Sequence, residues 1–82
     1  EMEVARYYQF SKNWISAINR YNTVLDKYKT SIYTAEALHR LVEIYYSLGL
    51  ISESEKYAST LGYNFPDSEW YKKSYEIVNS NS

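Results

Sequence analysis

The chain has 82 residues, nine basic and ten acidic, a formal net charge of −1, 45% apolar content and no cysteine. A domain near this size buries only about 60–65% of the surface its unfolded chain exposes, and the near-neutral balance offers no field to draw in nucleic acid or an anionic membrane. Disulfides, thiolate metal sites and cysteine catalysis are excluded, and no apolar run reaches the roughly 18–20 residues that span a bilayer as a helix.

Met2, Val4, Ala5, Tyr7 and Tyr8 make the apolar side of a first predicted helix that ends near Phe10 or Ser11, and Ser11-Lys12-Asn13 supplies a turn. Trp14, Ala17, Ile18, Tyr21, Val24, Leu25 and Tyr28 then follow spacings of three and four without a break, an amphipathic helix. Thr30 and Ser31 are candidate caps for a third helix with Leu38, Leu41, Val42, Tyr45 and Leu48 as its buried stripe and Gly49 as its stop. Ser52-Glu53-Ser54-Glu55 has the spacing of a capping box, which predicts a fourth helix from about Ser52 that carries Tyr57, Ala58 and Leu61 inward and stops at Gly62. After Tyr63-Asn64-Phe65-Pro66, Asp67 or Ser68 caps a fifth helix with Trp70, Tyr71, Ile77 and Val78 as its apolar members. It fades into the polar tail Asn79-Ser80-Asn81-Ser82, and no segment alternates with the period of a strand.

A 37-residue repeat links these elements. The frame Ala5-x2-Tyr8, Ala17-x3-Tyr21-x2-Val24, Lys29-x-Ser31-x-Tyr33 returns as Val42-x2-Tyr45, Ser54-x3-Ala58-x2-Leu61, Pro66-x-Ser68-x-Trp70. This fits the tetratricopeptide pattern of about 34 residues per helical pair, lengthened slightly at the connection. The expectation is an all-α chain of about five helices, antiparallel hairpins in a right-handed superhelix, with repeat one at 1–30, repeat two at 31–66 and a terminal capping helix at 67–82. Ala17 and Ser54 are the small residues where two helices of a hairpin approach closely, with Tyr8 and Tyr45 beside them. Because solenoids need about three repeats and distinct caps, the chain reads as a fragment of a longer protein, and self-association through its first two helices is expected.

Chemistry is sparse. The single histidine, His39, lies on the third helix without a catalytic motif around it and reads as a surface or seam residue rather than a metal ligand or base. Glu53 and Glu55 cap a helix start, and no phosphate loop or nucleophile motif is present. Glu3 with Arg6, Glu36 with Arg40, Arg40 with Glu43, Glu53 with Lys56 and Glu69 with Lys73 stand three or four residues apart, the pattern of solvated helix faces. Arg20 has no acidic residue at those offsets on its own helix, and Lys27, two turns on, is similarly free; both are candidate docking residues for a partner's carboxylate. Of the paired aromatics, one member falls on each buried stripe, leaving Tyr7, Tyr46 and Tyr71 open to a partner.

The segments Tyr21–Tyr28, Glu36–Glu43 and above all Leu61-Gly62-Tyr63-Asn64-Phe65-Pro66-Asp67-Ser68-Glu69-Trp70-Tyr71 resemble the BamD (ComL/YfiO) family across essentially the whole chain. The resemblance implies the last two repeats or so of a lipid-anchored scaffold on the periplasmic face of the bacterial outer membrane, without catalysis or cofactor. In that family the C-terminal repeats dock on the membrane-proximal POTRA domain of BamA and approach BamE. The family's Asn-Arg motif matches Asn19-Arg20, which implies that Arg20 contacts BamA. The family's lipid-bearing cysteine is absent, so this segment is expected to be soluble, and Lys29 stands where a proline usually ends a repeat. The alternative is a peptide-binding repeat module that captures extended or unfolded chains in its concave groove.

Overall fold

The described residues form five helices: α1 Met2–Phe10, α2 Trp14–Lys27, α3 Thr34–Ser47, α4 Ile51–Asn64 and α5 Glu69–Val78. The computed structural model describes residues 1–28 and 31–80, and among these there is no strand. The expected roles of Lys29, Thr30, Asn81 and Ser82 lie outside the described residues. The 37-residue period governs the helix limits as well as the residues: α2 and α4 are both 14 residues long, and Trp14 to Ile51 and Lys27 to Asn64 are each one period. Even the first turn obeys it. Lys12 has φ 63° and Gly49, one period later, φ 79°, so the left-handed conformation recurs where the residue does not.

The core lies on both sides of α3. Met2, Ala5, Ala17, Tyr21, Val24, Ala37, Leu41 and Ile44 form one buried cluster between α1, α2 and α3. Ala35, Leu38 and Leu61, backed by Phe65, Trp70 and Tyr71, form a second toward α4 and α5. Ala17 and Ser54 are fully buried at the two hairpin crossings, with Tyr8 and Tyr45 half-buried beside them. Ser54 also donates its hydroxyl to the Val42 carbonyl at 3.0 Å, so the small polar residue meets no unsatisfied burial. Tyr45 stacks on Tyr57 with ring centroids 5.5 Å apart, closing the α3–α4 hairpin.

Several sequence expectations shift. α1 buries Met2, Ala5 and Gln9, while Val4 and Tyr7 are exposed; a polar residue takes the third place on the inner face because it has partners there. Tyr28 and Leu48 stand just past their helices and are also exposed. Ser31 does not cap α3, which starts three residues later; its Oγ accepts from the Tyr33 N–H instead. The capping box is not formed: α4 begins at Ile51 with Leu50 as its N-cap and no side-chain cap bond, which puts Ser52 inside the first turn rather than at the cap. Ser68, not Asp67, caps α5, accepting from the Trp70 N–H at 3.0 Å.

Gly62 does not stop α4, which runs on to Asn64. Its role is clearance: a Cβ there would meet Tyr71 Cε1 at 2.5 Å. Glycine in a helix interior ordinarily costs about 1 kcal/mol relative to alanine. Gly62→Ala is therefore expected to lose that gain and destabilise by about 1 kcal/mol through overpacking. In a Tyr71→Ala background the same change should stabilise, and chemical denaturation of the four proteins of this cycle checks the reversal.

Candidate functional site

The side of α3 that faces α1 and α5 is charged and nevertheless enclosed. Arg6 reaches from α1 to Glu36 on α3 with two bonds, Nε to Oε2 at 2.8 Å and Nη2 to Oε1 at 2.7 Å. Arg40 adds Nε to Glu36 Oε2 and Nη1 to Glu43 Oε1, both at 3.1 Å. Gln9 donates to Glu43 Oε1 at 2.9 Å and accepts from the Tyr21 hydroxyl at 2.7 Å, which brings in α2. His39 contacts Glu43 Oε2 through Nε2 at 3.1 Å and Ser74 Oγ of α5 through Nδ1 at 2.8 Å. Every buried side-chain nitrogen and oxygen among the described residues has a partner. These are not the solvated pairs that the spacing of Glu36, Arg40 and Glu43 suggested.

The electrostatics follow from this enclosure. The Arg6 fork holds the Glu36 carboxyl below the usual range against the opposing effect of burial. Burial alone would push Glu43 up, but the bonds from His39, Gln9 and Arg40 outweigh it and bring its pKa to about 2. Burial pushes the Tyr21 phenol up to about 12, so it stays a neutral donor to Gln9. An ionised Glu43 can only accept, which places a proton on His39 Nε2; in the neutral ring Nδ1 then accepts from Ser74.

Ser74, His39 and Glu43 thus line up as hydroxyl, imidazole and carboxylate, the order of a nucleophile with its base. Burial settles what this arrangement does: Ser74 is 0% and His39 2% exposed, so no substrate carbonyl can reach the hydroxyl. The chain of bonds ties α5 to α3. Among the described residues there is also no group of acidic and histidine side chains that could hold a metal ion.

Beside the network opens a cleft of about 710 Å³ between α1, α3 and α5, lined by Gln9, Phe10, His39, Glu43, Tyr46 and Lys73 among others. Of the three singled-out tyrosines only Tyr46 lines it, half-buried and 3.2 Å from Ser80 Oγ. Tyr7 is 68% exposed on α1, edge-on to Tyr8. Tyr71 is half-buried against Gly62, and Tyr75, not Tyr71, is the exposed member of its pair. The three do not form one surface.

Asn19, Arg20 and Lys27 all lie on the solvent side of α2. Arg20 is not without a partner: its Nη1 is 3.4 Å from Glu1 Oε1, an exposed inter-helix pair that contributes little. No helix among the described residues is long and apolar enough to cross a membrane. The polar network was missed because its bonds join residues 30 to 35 positions apart. One local signal pointed to it, His39 and Glu43 at i and i+4 on a helix whose buried stripe was already wide.

Comparison with known proteins places this geometry in context. Residues 1–61 match the model of the YfiO family, described as outer membrane lipoprotein. The outer membrane protein assembly factor BamD of Rickettsia prowazekii is 50% identical over 78 residues, covering 95% of this chain and 31% of that protein. BamD of Caulobacter vibrioides is 40% identical over 81 residues, 99% of this chain and 27% of that protein. BamD of Xylella fastidiosa is 33% identical over 72 residues. The chain thus spans less than a third of the length of these curated relatives, and no solved structure matches it. A helical repeat with this register, matched over most of its length by the family model and over nearly all of it by these relatives, belongs to the YfiO family of outer membrane lipoproteins.

Proposed function

We propose that this chain is a non-catalytic interaction module in outer-membrane protein assembly, at the periplasmic face of the outer membrane, and that it docks on the membrane-proximal POTRA domain of BamA and approaches BamE. The relatives named as assembly factors support the general role. The docking reading rests on one observation, the Asn19-Arg20 step on the outer side of α2, where the Arg20 side chain is 45% exposed and, among the described residues, paired at long range with Glu1. A guanidinium so placed can exchange Glu1 for a partner carboxylate at small cost, and its planar fork rewards two-point contact. Lys27 lies two turns further along α2 and extends the positive stripe.

Arg20→Glu is expected to weaken binding to a POTRA segment of the cognate BamA by at least about tenfold, or 1.4 kcal/mol, since it replaces attraction by like-charge contact. Calorimetry or surface-based binding at two salt concentrations reads the effect, and undiminished affinity sinks the assignment. The second reading, capture of an extended peptide, draws support from the α1–α3–α5 cleft with Tyr46 on its wall. It is separated by the same titration, because Tyr46→Ala should then weaken binding to extended peptides while Arg20→Glu leaves it unchanged.

A further inference from the structure

We propose that Arg40 is a positioning residue that sets the separation of α1 and α5, and with it the width of the cleft between them. Three features converge on its guanidinium. Its edges are bonded to Glu36 and Glu43 of its own helix, which fixes it in place. Rings from two other helices lean on it, Phe10 of α1 at 5.5 Å and Trp70 of α5 at 5.3 Å from the guanidinium carbon. A planar cation can hold an aromatic ring on each side in a way that an ammonium cannot.

The need for such a device follows from the packing. α1 packs closely on α2, and α5 on α3 and α4, but α1 and α5 share no packed seam. Met2 and Ala5 of α1 share a buried cluster with α3, and beyond them the α1–α3 approach is spanned by long polar side chains, Arg6 to Glu36 and Gln9 to Glu43. Apolar interdigitation defines an interhelical distance by shape. Where it is missing, the distance must come from bonds of fixed length and direction, and among the described residues Arg40 is the group that touches α1, α3 and α5 together. The cleft opens at this junction, with Phe10 and Glu43 in its lining.

This inference stands apart from the docking reading, because Arg20 is on α2 and the test involves no partner. The absence of native cysteine allows spin labels at Glu3→Cys on α1 and Lys72→Cys on α5, both exposed, and pulsed dipolar spectroscopy then reads the distance distribution between them. In Arg40→Met the distribution is expected to broaden and its mean to move by at least about 2 Å, the scale of a helix shift at an interface. A residue with only a stabilising role would lower the melting temperature and leave the folded-state distance alone. An unchanged distribution in an Arg40→Met protein of native helicity therefore overturns the proposal. If that variant does not fold, Phe10→Ala serves, since Phe10 is 66% exposed and outside the core clusters. It should widen the distribution in the same sense, and no change there overturns the proposal equally.

Discussion

Replacing Glu36 by alanine is expected to destabilise the fold by about 3–5 kcal/mol, the cost of removing one member of an enclosed ion pair. The side chain is 9% exposed and takes three bonds, two from Arg6 and one from Arg40. Alanine leaves the Arg6 fork without its acceptor and deprives Arg40, itself only 18% exposed, of one of two carboxylates. A domain of this size has a total stability of about 5 kcal/mol or a little more, so the variant should be substantially unfolded at room temperature. The paired change Arg6→Met with Glu36→Met removes both charges and keeps the volume, and it should be more stable than Glu36→Ala by about 1–3 kcal/mol. Urea denaturation followed by circular dichroism measures both. A single variant no weaker than the double one would mean that the pair is effectively hydrated.

The second large effect is acid sensitivity through Glu43. Its folded pKa lies near 2 against an ordinary 4.5. A carboxyl with a depressed folded pKa contributes stability that is fully present above the unfolded value and is lost as pH falls toward the folded one. The loss therefore runs from about pH 4.5 down to about pH 2, and after allowance for the partial exposure of the group it amounts to about 2–3 kcal/mol. Glu36, also depressed, adds a slope of the same sign. Denaturation curves from pH 7 to pH 2 should show this decline, and in Glu43→Gln the decline should be shallower while stability at pH 7 is lower. Parallel profiles for the two proteins would show that Glu43 titrates alike in the folded and unfolded chain.

The sequence disclosed the helices through apolar spacing, and the 37-residue frame related them, down to the limits of α2 and α4. Ala17 and Ser54 were legible as crossing points because a close approach of two helices admits only small side chains. Gly62 was misread, since a glycine near a helix end carries the same letter whether it supplies a left-handed cap, as Gly49 does, or clears space for a ring. Ser52 was misread likewise: a serine at a helix start suggests a cap, but α4 begins one residue earlier, at Ile51, with Leu50 in the cap position. The docking candidates Asn19, Arg20 and Lys27 were visible because exposure on one helix is a local property. The network around Arg40 was not, because charges three and four residues apart on a helix look alike in water and under a neighbouring helix, and what separates the two is Arg6 and Gln9, more than two dozen residues upstream.

That long reach in sequence has a kinetic side. The packed seams join helices that are neighbours or next neighbours along the chain, so the apolar hairpins can form quickly from local contacts. The bonds from Arg6 to Glu36, Gln9 to Glu43 and His39 to Ser74 close loops of 30 to 35 residues and need the helices already in place. They are expected to form on the late side of the folding barrier and to give small φ-values. Damage to them is then felt as a shorter lifetime of the native state rather than as slower folding, and the charged seam acts as a brake on unfolding.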